Sequence, residues 1–310
     1  MITGVLSDES LRKVRTQARV WFLVTRPKFL LGSVVLAVLG TSIAWWDGSF
    51  SALHAVLAFV GFLLWHVSVN VLNEYFDYRT GIDLETRRTP FSGGSGILPA
   101  GLLRAESVFK LGLLCFALAV PIWAYFVIVK GVMLLPLLAA AAICFLLYAP
   151  LLTRLGLGEI AASYGIGIFP VLAFYFVQAG GYPSEVVVVA ILAAILVFNL
   201  HVLNEFPDMD ADKVGGRRTL TIALGRRRAS WVYLAGTVAV YAWVGAWVAV
   251  GIMPQATLLS LATIPLALRA VTGALTYRDE TRFIPVLWAS AIAYFATLAL
   301  LALGYIVDRL

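Results

Sequence analysis

Charge is scarce in this chain: Asp, Glu, Lys and Arg make up 13% of its 310 residues, about half the share in a soluble domain, which excludes a water-facing globular fold. Cysteine is scarcer still. Cys115 and Cys144 both lie inside apolar runs, so there is no disulfide framework and no Cys-based zinc spacing, and both read as small hydrophobes with free thiols. His54, His66 and His201 sit in or near apolar runs and read as interhelical hydrogen-bonding groups rather than ligands. The opening residues, MITGVLSDESLRKVRTQAR, lack the basic-then-apolar order of a cleavable signal peptide, so the first apolar run is expected to be retained as a helix. The stretch FSGGSG (91–96) lacks the Lys-Ser/Thr ending of a P-loop and reads as a flexible lid.

What is abundant is apolar sequence: 61% hydrophobic residues and a mean hydropathy of +0.92. Apolar runs fall at 29–46, 52–72, 108–129, 131–150, 160–180, 184–203, 229–251, 256–275 and 283–306. Most approach or exceed the ~20 residues that a helix needs to cross the hydrocarbon core. Interior Pro121, Pro136, Pro170 and Pro265 are compatible with helices here, because neighbouring helices re-satisfy the freed backbone groups. The expected fold is all-α, a polytopic membrane protein with about nine transmembrane helices bundled around a central cavity. One transmembrane domain is expected over 1–310, with a cytoplasmic tail at 1–28 and cytoplasmic aspartate-rich loops at 73–107 and 204–228.

Numbering the connections sorts the basic residues: 21 of the 23 Lys and Arg fall on one side, with Lys130 and Arg309 opposite. Positive loops stay in the cytoplasm, which predicts an inside N-terminus and an outside C-terminus, in a prokaryotic inner membrane. The net charge of +6 is then the ordinary basic face of a membrane protein and calls for no nucleic acid. Acidity is the unusual part. Glu74, Asp77, Asp83, Glu85 and Glu106 share the second connection, and Glu205, Asp208, Asp210 and Asp212 share the sixth, more than half of the 17 acidic residues.

Both places carry the same heptad. VLNEYFD (71–77) and VLNEFPD (202–208) each end an apolar run and lead into further aspartates and arginines. Asn73 and Asp77, four residues apart, share one helical face. Asn204, Asp208 and Asp212 repeat that spacing, although Pro207 is able to bend or end the helix there. Clustered carboxylates at a membrane helix end are costly, so a cation is expected between them, with Asn73, Asp77, Asp83, Asn204, Asp208 and Asp212 as ligands and Asp210 close by. Oxygen ligands without His or Cys select Mg²⁺ or Ca²⁺, and Mg²⁺ is usually held by one or two carboxylates together with substrate phosphates. Arg79, Arg87, Arg88, Lys213, Arg217 and Arg218 flank the clusters, and guanidinium groups match phosphate oxygens. Together they describe a socket for a diphosphate whose lipid tail lies in the apolar body.

At these residues the sequence resembles the UbiA superfamily of intramembrane prenyltransferases. NEYFDYRTGID (73–83) resembles the first aspartate-rich motif, in the longer-spaced form of the dihydroxynaphthoate prenyltransferases of menaquinone synthesis, and NEFPDMDADKVGGRRTL (204–220) resembles the second. TRPKFLLGSVVLAVLGT (25–41) and YAPLLTRLGLGE (148–159) resemble the start of the first helix and the fourth connection of the same branch. The resemblance implies transfer of a prenyl group from a polyprenyl diphosphate to an aromatic acceptor, with Mg²⁺ as cofactor and dihydroxynaphthoate or a related quinone precursor as acceptor. It carries the metal and diphosphate role onto Asn73, Asp77, Asp83, Asp208 and Asp212, and diphosphate contacts onto Lys213 and Arg154. Glu74 and Glu205 depart from the Asp and Asn common in quinone enzymes, and Pro207 from a common basic residue, which leaves the acceptor open.

Expected catalytic groups are Asp77, Asp208 and Asp210, one of the last two taking or orienting the acceptor's proton. Trp65, Tyr75, Tyr148 and Tyr164 are candidates to face an allylic cation, the two tyrosines 148 and 164 from the cavity wall. Glu159 resembles a family feature without a derived duty. Three rivals remain: a cyclase that folds the prenyl chain on itself with the same aspartates, a structural or lipid-chaperone protein that keeps the socket without turnover, and a secondary transporter, whose sites usually lie near the bilayer midplane and against which the acidic residues' place at the cytoplasmic ends argues.

Overall fold

The structure, a computed structural model, describes residues 8–86, 89–91, 93–277 and 279–310. Among the described residues there are helices and no strands. Nine helical stretches among the described residues are long and apolar enough to cross a membrane: Pro27–Trp46, Ala52–Arg79, Ala105–Lys130, Val132–Leu152, Gly158–Ala179, Ser184–Val214, Arg226–Ala249, Gln255–Leu275 and Phe283–Arg309. They correspond one for one to the nine apolar runs of the sequence. A further helix, Asp8–Val24, precedes them and packs Val20, Trp21 and Val24 against Val71 and Val108.

The second and sixth spans run on where the apolar pattern ends. The expected loops at 73–107 and 204–228 therefore begin later, and both heptads are helical. Polar side chains extend the second span: Asn73 donates to Asp77 one turn on, at 2.8 Å, and Thr80 closes the end by donating to the Phe76 carbonyl at 2.9 Å. Pro207 does not end the sixth span. Its missing N–H leaves the Leu203 carbonyl, four residues back, without its helical donor, yet the helix runs on to Val214; Arg226, donating from Nε and Nη2 to the Phe206 carbonyl at 3.0 and 2.8 Å, ties the start of the seventh span to it.

Two of the bundle's apolar cores join the most spans. Phe62 and Trp65 of the second span pack with Trp123, Phe126, Phe145, Phe169 and Phe174 of the third to fifth spans. Leu36, Leu39 and Ile43 of the first span pack with Val189, Leu192, Val244 and Leu298 of later spans. Lipid gives helices no hydrophobic drive toward one another, so close backbone approach matters. At Gly167 an added Cβ would lie 2.6 Å from the Ala194 Cα, so only glycine lets the fifth and sixth spans touch there.

Span ends sort onto two borders. Trp46 donates to Asp308 at 2.9 Å, Ser51 to Gln178 at 2.6 Å and Lys130 to the Gln178 carbonyl at 2.8 Å. The ends of the first, third, fifth and ninth spans thus meet at one border. The heptads of the second and sixth spans meet at the other.

Candidate active site

Each of the two extended helices presents one polar stripe. On the second span the stripe is His66, Asn70, Asn73 and Asp77; on the sixth it is His201, Asn204, Asp208 and Asp212. Steps of three and four residues keep each set on one helical face, and all eight residues line a single cavity. The carboxylates lie at the border and the histidines deeper in the bundle.

Arg217 joins the stripes. Its Nη1 donates to Asp212 at 3.1 Å and its Nη2 to Asn73 at 3.1 Å, and the same guanidinium ion-pairs with Asp77. Burial alone pulls the Arg217 guanidinium down, but Asp77 and Asp212 outweigh it and push it above the ordinary arginine range. One cation thus serves carboxylates from both stripes.

The chain after the first heptad folds back over this cluster. Gly81, at φ 83°, turns it into the short helix Ile82–Glu85 and buries Asp83. Burial pushes the Asp83 carboxyl up to about 7, the charges of Asp77 and Glu74 push the same way, and Arg26 and Arg217 oppose them. Glu74, fully buried, accepts from the Ser95 backbone N–H at 2.7 Å and from the Ser95 hydroxyl at 2.6 Å. Between them Gly94 adopts φ 60°, with Asp83 and Glu74 oxygens where a Cβ would sit. The 93–96 stretch is therefore pinned over the cluster.

Arg26 enters from the opposite wall. It is the sole non-glycine residue with positive φ among the described residues, at 55°, immediately before Pro27. Such strain is held by its surroundings and clusters at functional sites. Here Asn70 donates to the Thr25 carbonyl at 3.1 Å, and the Arg26 guanidinium lies over the Phe29 ring at 4.6 Å and 3.7 Å from Glu74. Two wide helical turns, Tyr148–Leu152 and Ser163–Ile168, flank the cavity; wide turns of this kind recur at functional sites. Glu159 accepts from the Leu220 N–H at 2.5 Å, and the Arg218 N–H donates to the Thr153 carbonyl at 2.9 Å, so the fourth and sixth connections are stitched together.

Of the residues singled out from sequence, Asn73, Asp77, Asp83, Asn204, Asp208, Asp212, Arg217, Arg218 and Tyr148 all line the cavity. Others do not. Asp210 has a side chain 77% exposed, paired with Lys213 at 3.7 Å and Arg226 at 4.0 Å, because it lies half a turn round the helix from Asp208 and Asp212. Lys213, Arg79 and Arg154 are exposed outside the lining. Tyr164 donates to the Leu137 carbonyl at 3.3 Å and ties two spans together. Trp65 stacks on Phe116, and Tyr75 packs against Phe109, so neither faces the cavity. Arg87 and Arg88 lie outside the described residues. The aromatic lining is instead Phe29, Phe91, Phe145, Tyr148, Tyr294 and Phe295. Arg26, His66, His201, Glu74, Glu159 and Glu205 also reach it or its frame. Glu74 and Glu205 were visible as the glutamates of the repeated heptad, and Arg26 as the cation immediately before Pro27.

Residues 33–290 match the profile of the UbiA prenyltransferase family. The chain belongs to the UbiA prenyltransferase family. It is thus a prenyltransferase-family enzyme and an integral membrane protein. Among curated relatives, this UbiA protein is 27% identical to the 1,4-dihydroxy-2-naphthoate octaprenyltransferase of Bacillus subtilis over 83% of each chain. It is 28% identical to the protein of the same name from Mycobacterium leprae, over 90% of this chain and 96% of that one. Its fold matches the apo structure of a UbiA homolog from Aeropyrum pernix with a TM-score of 0.65 at 18% identity, covering 91% of this chain and 98% of that one. A UbiA homolog from Archaeoglobus fulgidus bound to GPP and Mg²⁺ matches with a TM-score of 0.58 at 15% identity, over 91% and 99% of the two chains.

Proposed function

We propose that this UbiA-family enzyme transfers a prenyl group from a polyprenyl diphosphate to an aromatic acceptor, 1,4-dihydroxy-2-naphthoate or a related quinone precursor, in a reaction that requires Mg²⁺. The observation that carries this reading is the meeting of both acidic stripes at one cationic group, at the mouth of a cavity that becomes apolar and aromatic with depth. The acceptor follows the names of the Bacillus and Mycobacterium relatives, and the donor and metal follow the ligands of the Archaeoglobus structure.

The donor set fits a magnesium ion that substrate completes. Among the described residues no three His, Cys, Asp or Glu side chains form a ready-made metal cluster. Asp77 and Asp83 of one motif and Asp208 and Asp212 of the other, with Asn73 and Asn204, offer hard oxygens, and Oδ2 of Asp83 and Oδ1 of Asn204 are buried without a hydrogen-bond partner. Few carboxylates plus substrate phosphate is the usual magnesium arrangement. When bound, the ion neutralises the charge that builds on the departing diphosphate.

The chain's own residues do the rest. Arg217 and Arg218 at the mouth bind diphosphate oxygens, Arg217 exchanging carboxylate partners for phosphate. The stretch carrying Gly94 and Ser95 closes over the headgroup and keeps water from the allylic cation. Faces of Phe29, Phe145 and Tyr148 stabilise that cation by cation–π contact. The test is purified protein in detergent, given a few prenyl diphosphates and aromatic acceptors and read by mass. A prenylated naphthoate product formed only with Mg²⁺ is the expected result. Failure to release diphosphate with any acceptor would end this reading.

A further inference from the structure

His201 is the cavity base that the diphosphate chemistry leaves unused. Its Nδ1 lies 3.1 Å from the Val197 carbonyl, one turn back on its own helix. A carbonyl oxygen only accepts, so Nδ1 carries the hydrogen and Nε2 is the basic nitrogen. The ring is only partly buried and lines the cavity.

Its place along the stripe matters as much as its tautomer. His201 precedes Asp208 by two turns on the same face, about 10 Å along the axis at 1.5 Å per residue. If the aspartates hold the diphosphate, that depth is beyond the headgroup, where the ester carbon and an attacking ring meet. The other basic groups nearby are committed elsewhere. His66 is buried and its Nδ1 bonds to the Ser33 hydroxyl at 2.7 Å, Glu159 holds the Leu220 N–H, and Glu205 accepts from Thr221 at 3.0 Å. Arg26 from the first wall, His66 from the second span and Glu159 from the fifth are the charged or titratable groups whose fields reach His201. Among the described residues no hydrogen bond engages Nε2.

We infer that His201 is a catalytic base for the acceptor, taking the hydroxyl proton of the aromatic substrate through Nε2; this rests on the prenyl transfer proposed above. The acceptor O–H bond breaks and its proton passes to Nε2. The carbon–oxygen bond to diphosphate breaks with its electron pair leaving on diphosphate, and the acceptor oxygen's pair, delocalised onto the ring carbon, forms the new bond to the allylic cation that remains. The ring carbon then sheds its own proton, or its carboxyl group as CO₂, and the ring oxygen is reprotonated. His201 returns its proton to water at the mouth, and nothing is oxidised or reduced.

The experiment compares wild type with His201→Gln and His201→Asn, measuring turnover over a series of hydroxyaryl acceptors of graded acidity and, separately, binding of prenyl diphosphate with Mg²⁺. Turnover in both variants should fall by about 100-fold or more, with affinity for prenyl diphosphate changed by less than about threefold. The loss should shrink as the acceptor hydroxyl becomes more acidic, because an already ionised acceptor needs no base. Variants that keep near wild-type turnover, a loss equal for every acceptor, or prenyl diphosphate binding lost in both variants would each overturn the assignment. Wild-type enzyme that turns over no aromatic acceptor would instead count against prenyl transfer itself, before any variant is compared.

Discussion

Nη1 of Arg217 lies 3.1 Å from Oδ1 of Asp212, and the same guanidinium pairs with Asp77, 140 residues earlier in the chain. Without that cation two buried carboxylates would face each other. Arg217→Gln should therefore destabilise the metal-free protein by about 3 kcal/mol, the usual cost of stripping one partner from a buried ion pair. Thermal unfolding in detergent with EDTA reads this loss, and Mg²⁺ with prenyl diphosphate should recover much of it by supplying other cations and ligands. An unfolding temperature unchanged by the substitution in EDTA would mean that the bridge carries no weight.

The aspartates at and just after the end of the second heptad should divide sharply. Asp208 faces the cavity with Asp77, whereas the Asp210 side chain is 77% exposed beside Lys213. Asp77→Asn and Asp208→Asn should each lower turnover by about 100-fold or more, as expected for groups that stabilise developing charge. Asp210→Asn should stay close to wild type. Steady-state diphosphate release decides it, and equal losses at Asp208 and Asp210 would contradict the placement of the stripe.

Close packing gives a prediction about the fold alone. A side chain at Gly167 would press on the Ala194 backbone, and backbone cannot rotate aside as a side chain does. Gly167→Val should cost at least the ~1–3 kcal/mol typical of overpacking, seen as a lower unfolding temperature. Gly245, with open space around it, is the control, and Gly245→Ala should be neutral.

Much of this architecture is legible in the sequence because lipid imposes a coarse rule. Each apolar run had to be a helix, and every one of the nine is. The repeated heptad located the acidic stripes for the same reason: Asn73 with Asp77 and Asn204 with Asp208 keep helical spacing whether the run around them is apolar or polar. Helix ends were less legible, because the second and sixth spans run on through polar residues, with side-chain bonds such as Asn73 to Asp77 along them, which no hydropathy window registers. Nor does residue type alone tell which way a charge points. Asp210 looked equivalent to Asp208 and Asp212 until the helix phase separated them, and Tyr164 looked like Tyr148 until its hydroxyl was found on the Leu137 carbonyl.

The pinned stretch over the cluster makes its own prediction. Ser95 holds Glu74 by two bonds, of which Ser95→Ala removes only the hydroxyl one at 2.6 Å and leaves the backbone N–H in place. Gly94→Ala is more severe. Its backbone sits at φ 60°, and its new methyl would lie 2.8 Å from an Asp83 oxygen and 2.9 Å from Glu74. If this stretch keeps water from the ionised prenyl group, loosening it should divert prenyl diphosphate toward prenyl alcohol at the expense of prenylated acceptor. The alcohol-to-product ratio should rise from wild type to Ser95→Ala, where one neutral donor to a charged carboxylate is lost at a cost of about 1.5–3 kcal/mol, and further to Gly94→Ala. Chromatography of the prenyl products with Mg²⁺ and acceptor in excess gives that ratio directly. A Gly94→Ala enzyme with the wild-type ratio, at whatever overall rate, would show that water is excluded by something other than this stretch.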